Sequence, residues 1–309
     1  MSKIKLTVEG EELLFFDNFN FSSQIDGSAS AISFNSFKDF KTFDYSFVQA
    51  FRNKVLIFTG EVINKGITIE TPPKPINYKA ESLTHILFES TLPTEAYPLQ
   101  LENSTLKDIV EYICSFFEIA VIFDQSTESE ASSTYKLADL KLGETAGSII
   151  NDLITEKGLI LSHNVNGELI ITKTIEQSEI ILPRFTSDGK QFDLKKFYHN
   201  YIALGQAPIG QDADIQAIAA FDNIDARRNI TKIQDSGGID TIEKKALGMR
   251  ADSLKSIQQS LNFNNFFCNI GDFVMLNDIK LIVNQIDYSL SSKGENASIY
   301  LIDSNIYVR

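Results

Sequence analysis

Apolar residues recur at every second position through most of the first ninety residues, the period of a β-strand with one buried face. Lys3–Val8 alternates, and Glu9-Gly10-Glu11 makes a turn. Ala29–Phe34 alternates with Ile32 and Phe34 on one face, and Phe43–Val48 and Val55–Ile63 follow. Asn64-Lys65-Gly66 has the composition of a hairpin turn into Ile67–Thr71. Pro72-Pro73-Lys74-Pro75 interrupts the pattern and Asn77–Thr84 resumes it. Six or seven short strands so punctuated predict a small antiparallel barrel or sandwich.

The period lengthens near residue 97. Leu99 and Leu101 mark a short strand, and Ser104 or Thr105 can cap a helix by accepting the orphan amide hydrogens of its first turn. Leu106, Ile109, Val110, Ile113, Cys114 and Phe117 follow at helical spacing, then Ile119–Phe123 as a strand. The unit recurs forty residues on. Leu140 and Leu142 are its strand, Gly143-Glu144-Thr145 its helix entry, and Ala146, Ile149, Ile150, Leu153 and Ile154 its apolar helix face. Leu159 and Leu161 repeat Ile119 and Val121, and Asn164-Val165-Asn166-Gly167 turns into Glu168–Thr172. Two copies are too few for a solenoid and predict one compact α/β domain. The polar run Gln125–Thr134 between them reads as a mobile, solvated loop.

Beyond a mixed connector, Asn200–Leu204 is a strand ending at Gly205, and Thr241–Leu261 has apolar positions Ile242, Leu247, Leu254 and Ile257 that suit a helix. The chain then closes on a meander: Gly271-Asp272 feeds Phe273–Leu276, Asn277-Asp278 feeds Ile279–Leu290, and Ser291–Asn296 feeds Ala297–Ile302. The predicted fold class is α+β: two small antiparallel β-barrel domains plus an α/β domain of repeated strand–helix–strand units. The boundaries are 1–92, 93–180 and 181–309, with the second barrel's strands mainly in 200–235 and 262–309 and a helix inserted at 241–261.

A chain of 309 residues has core enough for two or three domains. Its formal charge of −13 argues against nucleic acid held by the general surface, which needs Lys and Arg to neutralise phosphates. The acidity fits solubility, or a conduit lining that must not hold DNA. Cys114 and Cys268 lack metal or redox spacing and read as small core residues, which suits a reducing compartment. There is no signal-peptide pattern and no run of membrane-span length, so a soluble protein made in the cytoplasm is expected.

Candidate chemistry is sparse. Phosphate-loop, zinc-protease, nucleophile-elbow and calcium-loop spacings are missing from the sequence, and no cofactor is implied. His85, His163 and His199 stand apart, each suited to a structural role. Asp222 and Asp225 ahead of Arg227 and Arg228 form the densest charged group. They suit a local ion pair or a contact between subunits, where Arg is favoured.

This order of elements resembles the baseplate hub proteins of phage tails: the Mu-like 43-kDa tail protein, the late control protein D family and the hub half of type VI secretion spike proteins. It consists of a β-rich start, repeated strand–helix–strand units, the strand Tyr201–Gly205, the Asp222–Arg228 segment, an Ala/Lys/Arg-rich helix and a final meander with a Gly-Asp turn. The resemblance implies a non-enzymatic virion protein of the tail baseplate, made in the host bacterial cytoplasm. It implies a homotrimer whose two barrels per chain build a ring of six, matching a sixfold tail tube to a threefold central spike around a channel for DNA. The implied partners are the tail tube protein, the central spike protein, other baseplate proteins, the tape-measure protein and DNA in transit. The chain ends at Arg309 without a spike repeat, so the spike is expected as a separate polypeptide. A tail-associated cell-wall hydrolase and a tail-tip receptor or carbohydrate binder are the alternatives; the absence of Trp argues against sugar stacking.

Overall fold

Strands from both ends of the chain meet in one sheet. The computed structural model describes residues 4–25, 29–40, 46–68, 74–96, 100–139, 143–175, 178–192, 200–204, 216–220, 229–233, 246–250, 257–276 and 279–304. The first part supplies β1 (Ile4–Val8), β2 (Glu11–Glu12), β3 (Asp17–Gln24), β4 (Ala31–Ser36), β5 (Phe47–Arg52), β6 (Val55–Gly66) and β7 (Ile76–Ser82). The middle supplies α1 (His85–Glu89), β8 (Gln100–Thr105), α2 (Leu106–Ser115), β9 (Val121–Phe123), α3 (Glu128–Ala131), β10 (Thr134–Asp139), α4 (Ala146–Glu156), β11 (Ile160–His163) and β12 (Leu169–Thr172). The last part supplies β13 (Ser187–Phe192), β14 (Asn200–Leu204), β15 (Gln216–Ala220), β16 (Asn229–Ile233), β17 (Ile257–Asn264), β18 (Phe273–Leu276), β19 (Ile279–Ser291) and β20 (Gly294–Asp303).

Twelve of these strands form one open sheet in the order β13-β17-β20-β19-β3-β4-β7-β6-β5-β1-β2, with β18 beside β19. This corrects the expected pair of closed barrels. The cause lies in β19. One of its edges pairs with β20; the other is shared, residues 279–282 taking β18 and residues 285–290 taking β3. The extra residue Asn284 makes the bulge where partners change, and its carbonyl accepts the Ile25 N–H at 2.9 Å. The meander therefore does not close on itself but offers a hydrogen-bonding edge that β3 occupies. β14, β15 and β16, expected in a second barrel with the strands of 262–309, pair among themselves, outside the sheet that holds those strands.

Alternation sets the faces. Phe19, Phe21, Ile32, Phe34, Tyr78, Ile286, Tyr288, Ile299 and Phe263 point into one core drawn from both ends of the chain. A second core gathers Leu87 through Ile171. In it α2 buries Leu106, Ile109, Val110, Ile113 and Cys114, and α4 buries Ala146, Ile149, Ile150 and Ile154, as their spacing predicts. Thr105 caps α2 by accepting the Asp108 N–H at 3.1 Å while the Asp108 carboxylate accepts the Thr105 N–H at 3.0 Å; Thr145 caps α4. The Thr105 hydroxyl, donating to the Asp108 carboxylate at 2.6 Å, and then the Thr105 N–H hold that carboxyl below its ordinary value. After the helices the equivalence fails: β12 pairs in parallel with β9 and antiparallel with β11.

Three other expectations change. Gln125–Ala131 is helical, not a loop, because Asp124 caps its first turn through Ser126 and Thr127 and Ala131 are buried. Residues 64–66 continue β6 instead of turning. The helix expected over 241–261 is helical at 246–250, but residues 257–264 form β17, where Leu261 and Phe263 alternate into the core between β13 and β20.

The Gly271-Asp272 turn forms as expected. Gly271 takes φ +84°, and the buried Asp272 carboxylate accepts the Asn269 N–H at 2.7 Å. Burial raises its pKa, so folding prefers the protonated acid: stability is fullest below the ordinary carboxyl range and falls as pH rises through the raised value. Asp272→Asn removes that titration. Denaturant midpoints should move in the variant's favour between about pH 4 and neutrality, the ordinary carboxyl range being near 4. A difference independent of pH would contradict this.

Candidate interaction surfaces

The described residues hold no group of three or more His, Cys, Asp or Glu able to bind a metal ion, and no helix among them is long and apolar enough to cross a membrane. Cys114 and Cys268 are buried free thiols; burial pushes Cys114 up to about 12 and Cys268 higher still. Asp222, Asp225, Arg227, Arg228 and His199 lie outside the described residues.

His163 joins the two cores. Its Nε2 lies 2.6 Å from Ser30 Oγ, which donates to Ser23 Oγ at 2.7 Å, while the Ser30 N–H donates to Ser82 Oγ at 3.2 Å. These groups border a cavity of about 510 Å³ between β3, β6 and the β11–β12 hairpin. A hydroxyl beside an imidazole is the contact of a nucleophile and its base. Here Ser30 and His163 are both buried, and the lining carboxylate Asp124 is engaged with the Ser126 N–H. The contact fastens the α/β unit to the sheet. His85 is also structural, its Nδ1 lying 3.0 Å from the Ser82 carbonyl.

A second tie crosses the seam between the halves of the sheet. Arg52, at the end of β5, places Nη2 3.5 Å from Glu295 Oε2, and its guanidinium lies over Phe267 at 5.0 Å and Tyr288 at 5.6 Å. The Glu295 side chain has no exposure and that of Arg52 has 16%. Nothing in the spacing of Arg52 and Glu295 marks them as partners, and only the strand order brings them together.

Two apolar patches face solvent. Leu14, Phe15 and Phe37 are 75%, 81% and 70% exposed, and the Ser36 hydroxyl holds the segments together by donating to the Phe15 carbonyl at 3.2 Å. On the C-terminal half, Ile181 and Met275 are 93% and 52% exposed and share a face, while Ile279, 53% exposed, lies on the other face opposite Leu276. A parallel bridge from Glu179 to Phe273 brings the first of these alongside β18. Large exposed apolar side chains gathered in this way mark contact surfaces.

The outer face of the large sheet differs. One row runs Asn262, Ser298, Asp287, Ser22, Ala31, Glu81 across β17, β20, β19, β3, β4 and β7. Two residues along, a second runs Asn264, Asn296, Ser289, Asn20, Ser33, Lys79. The side chains pair with one another: Ser22 donates to Asp287 at 2.6 Å, Asn20 to Ser33 at 3.1 Å, Ser298 to Asn262 at 2.5 Å and Lys79 to Glu81 at 2.5 Å. A shallow groove of about 390 Å³ lies along them.

Comparison with known proteins places this architecture. Residues 84–173 match the family model of the second domain of baseplate hub proteins of the gp44-like type. No curated protein matches the sequence. Among solved structures, the chain is similar to the 43-kDa tail protein of prophage MuSo2 from Shewanella oneidensis, at 16% identity over 99% of both chains with a TM-score of 0.80. It is equally similar to a tail protein from Neisseria meningitidis, at 15% identity over 99% of this chain and 98% of that one, TM-score 0.81. A component of the type VI secretion system from E. coli follows at 9% identity over 96% and 76%, TM-score 0.57. The resemblance drawn from element order is borne out: this chain shares the fold of Mu-like prophage tail proteins along nearly its whole length, and its residues 84–173 match the second-domain model of baseplate hub proteins.

Proposed function

We propose that the protein is the structural hub of a phage tail baseplate: a homotrimeric ring that joins a sixfold tail tube to a threefold central spike and encloses the channel for DNA. The observation that carries this is the union of two β-rich halves, from opposite ends of the chain, in one sheet around a shared core, with a hub-type α/β unit between them. Two β-rich halves per chain let three chains present six units to a tube while keeping threefold symmetry for a spike. Residues 1–92 and 181–309 form the two halves in this reading, and residues 93–180 widen the ring. The tail tube, spike and other baseplate proteins, with the tape-measure protein, are its partners, in the virion after synthesis in the host cytoplasm. It needs no catalysis.

The two apolar patches support a closed ring. A cyclic trimer needs heterologous contacts, in which one surface of a subunit meets a different surface of the next. Leu14, Phe15 and Phe37 on one half and Ile181 and Met275 on the other supply two unlike surfaces. Asp222, Asp225, Arg227 and Arg228 are proposed to add charged contacts at the same boundary. Phe15→Glu should convert trimers to monomers with little change in the denaturant midpoint, because the side chain is mostly exposed within one chain. Ultracentrifugation checks this: unchanged trimers would remove the patch from the interface. Electron micrographs of the protein mixed with tube and spike proteins test the hub role, and particles lacking threefold rings would overturn it.

A further inference from the structure

We propose that the cavity between the large sheet and the α/β unit is a binding site for an uncharged small molecule with an apolar body and one hydroxyl at its end. The site lies within one chain and does not depend on the ring.

Its walls come from three parts of the chain: β3 and β6 of the first half, the segment 267–270 and β19 of the last, and the β11–β12 hairpin between them. A space of about 510 Å³ where separate units meet is usual for a small-molecule site. Phe21 and Phe267, from opposite ends of the chain, lie side by side on its wall with ring centroids 5.9 Å apart. Polarity changes with depth. Val55 and Val165 line the cavity and are exposed, so they stand at its mouth. Exposed Ile122 extends that apolar rim, because it pairs with the lining residue Ile170 across β9 and β12. The lining residues Ser23, Ser30, Thr59 and Ser82 are buried, so their hydroxyls lie deep.

Thr59 shows what the deep end takes. It lies in β6 opposite Gln49 of β5 and is 4% exposed, and its Oγ1 has no hydrogen-bond partner among the described residues. A buried hydroxyl left in that way costs free energy, which a ligand group that bonds to it restores. The neighbouring hydroxyls are already engaged: Ser30 bonds Ser23 and meets His163, and Ser82 Oγ accepts the Ser30 N–H. One hydrogen-bonding group on the ligand is therefore enough. Charge is excluded by the walls. Asp124 is the only Asp, Glu, Lys or Arg among the described lining residues, and its carboxylate accepts the Ser126 N–H. No Lys or Arg there meets a carboxylate or phosphate, and burying an ion without a partner is costly. A ligand that touches Phe21, Phe267 and the hairpin together holds the α/β unit against both halves of the sheet, so its binding stabilises the fold.

The probe is 2-naphthol, which carries one hydroxyl on an apolar pair of rings and is uncharged at neutral pH. Naphthalene, 2-naphthoate and 2-naphthylmethylammonium are the comparisons, and titration calorimetry on the full chain reads their affinities. The expected result is saturable binding of 2-naphthol at one site per chain, with a thermal midpoint that rises with its concentration. Its affinity should exceed that of either ion by at least about tenfold. Thr59→Val keeps the shape of the wall and removes the hydroxyl. It should weaken 2-naphthol by about tenfold and leave naphthalene unchanged. A second measurement needs no variant: nuclear Overhauser contacts from bound 2-naphthol should reach the methyl groups of Ile57 and Ile170, which line the cavity. Absence of saturable binding, which would leave the cavity to water, overturns the proposal. So do equal affinity for the ions, undiminished 2-naphthol affinity in Thr59→Val, and contacts only to methyl groups outside the cavity. The hub reading survives each of these results, because rings and mass decide it.

Discussion

Arg52→Met destabilises the fold by about 3–5 kcal/mol, the usual result of removing one partner from a buried ion pair. The loss is large because the Glu295 side chain is wholly enclosed and would remain as a carboxylate without its guanidinium, and because Arg52 also packs over Phe267 and Tyr288. Loss of the guanidinium disfavours the enclosed carboxylate, so the deficit should shrink as the pH is lowered and the acid takes a proton. Arg52→Met combined with Glu295→Leu should recover most of the stability, since apolar packing can replace a buried pair. Urea unfolding of the original protein and the two variants at neutral and mildly acid pH measures all of this. A single variant within about 1 kcal/mol of the original would mean that the pair does not hold the seam.

Gly60→Ala should be as damaging, for a steric reason. Gly60 sits in the middle of β6, opposite Val48 of β5 and Ser82 of β7. A Cβ there would lie 2.0 Å from the Glu81 carbonyl oxygen and 2.6 Å from its carbon. Those are backbone atoms of a paired strand, so no rotamer change relieves the contact, and one strand must leave its register. The expected cost is at least about 3 kcal/mol, with much of the protein insoluble on expression. Gly66→Ala, in the same strand, is the control: its nearest neighbour is Asn77 Cβ at 3.7 Å. Thermal melts should separate the two variants clearly, and equal tolerance would show that β6 can shift.

Local structure was legible where one period dominated. The helices α2 and α4 declared themselves because hydroxyl caps at Thr105 and Thr145 precede matching apolar faces. β17 was misread because Ile257 and Leu261, four apart, fit a helix as well as Leu261 and Phe263, two apart, fit a strand; the edges of β13 and β20 decided the matter. The helical turn after Asp124 was missed because its buried members, Thr127 and Ala131, are small and barely register as apolar. The joined sheet was not legible at all. It depends on a bulge at Asn284 and on a pairing in which Ser22 bonds Asp287, 265 residues away. The same pairing turns scattered Ser and Asn residues into rows, so the outer face could be read from the sequence only strand by strand. The charged run at Asp222–Arg228 remains a proposal on sequence grounds.

The ring is the central claim, and the mass of the assembled protein tests it most directly. Light scattering on the purified chain, over a wide concentration range and with tube and spike proteins added, should give the mass of three chains in a form that persists on dilution. A mass of one chain under every one of those conditions would contradict the account.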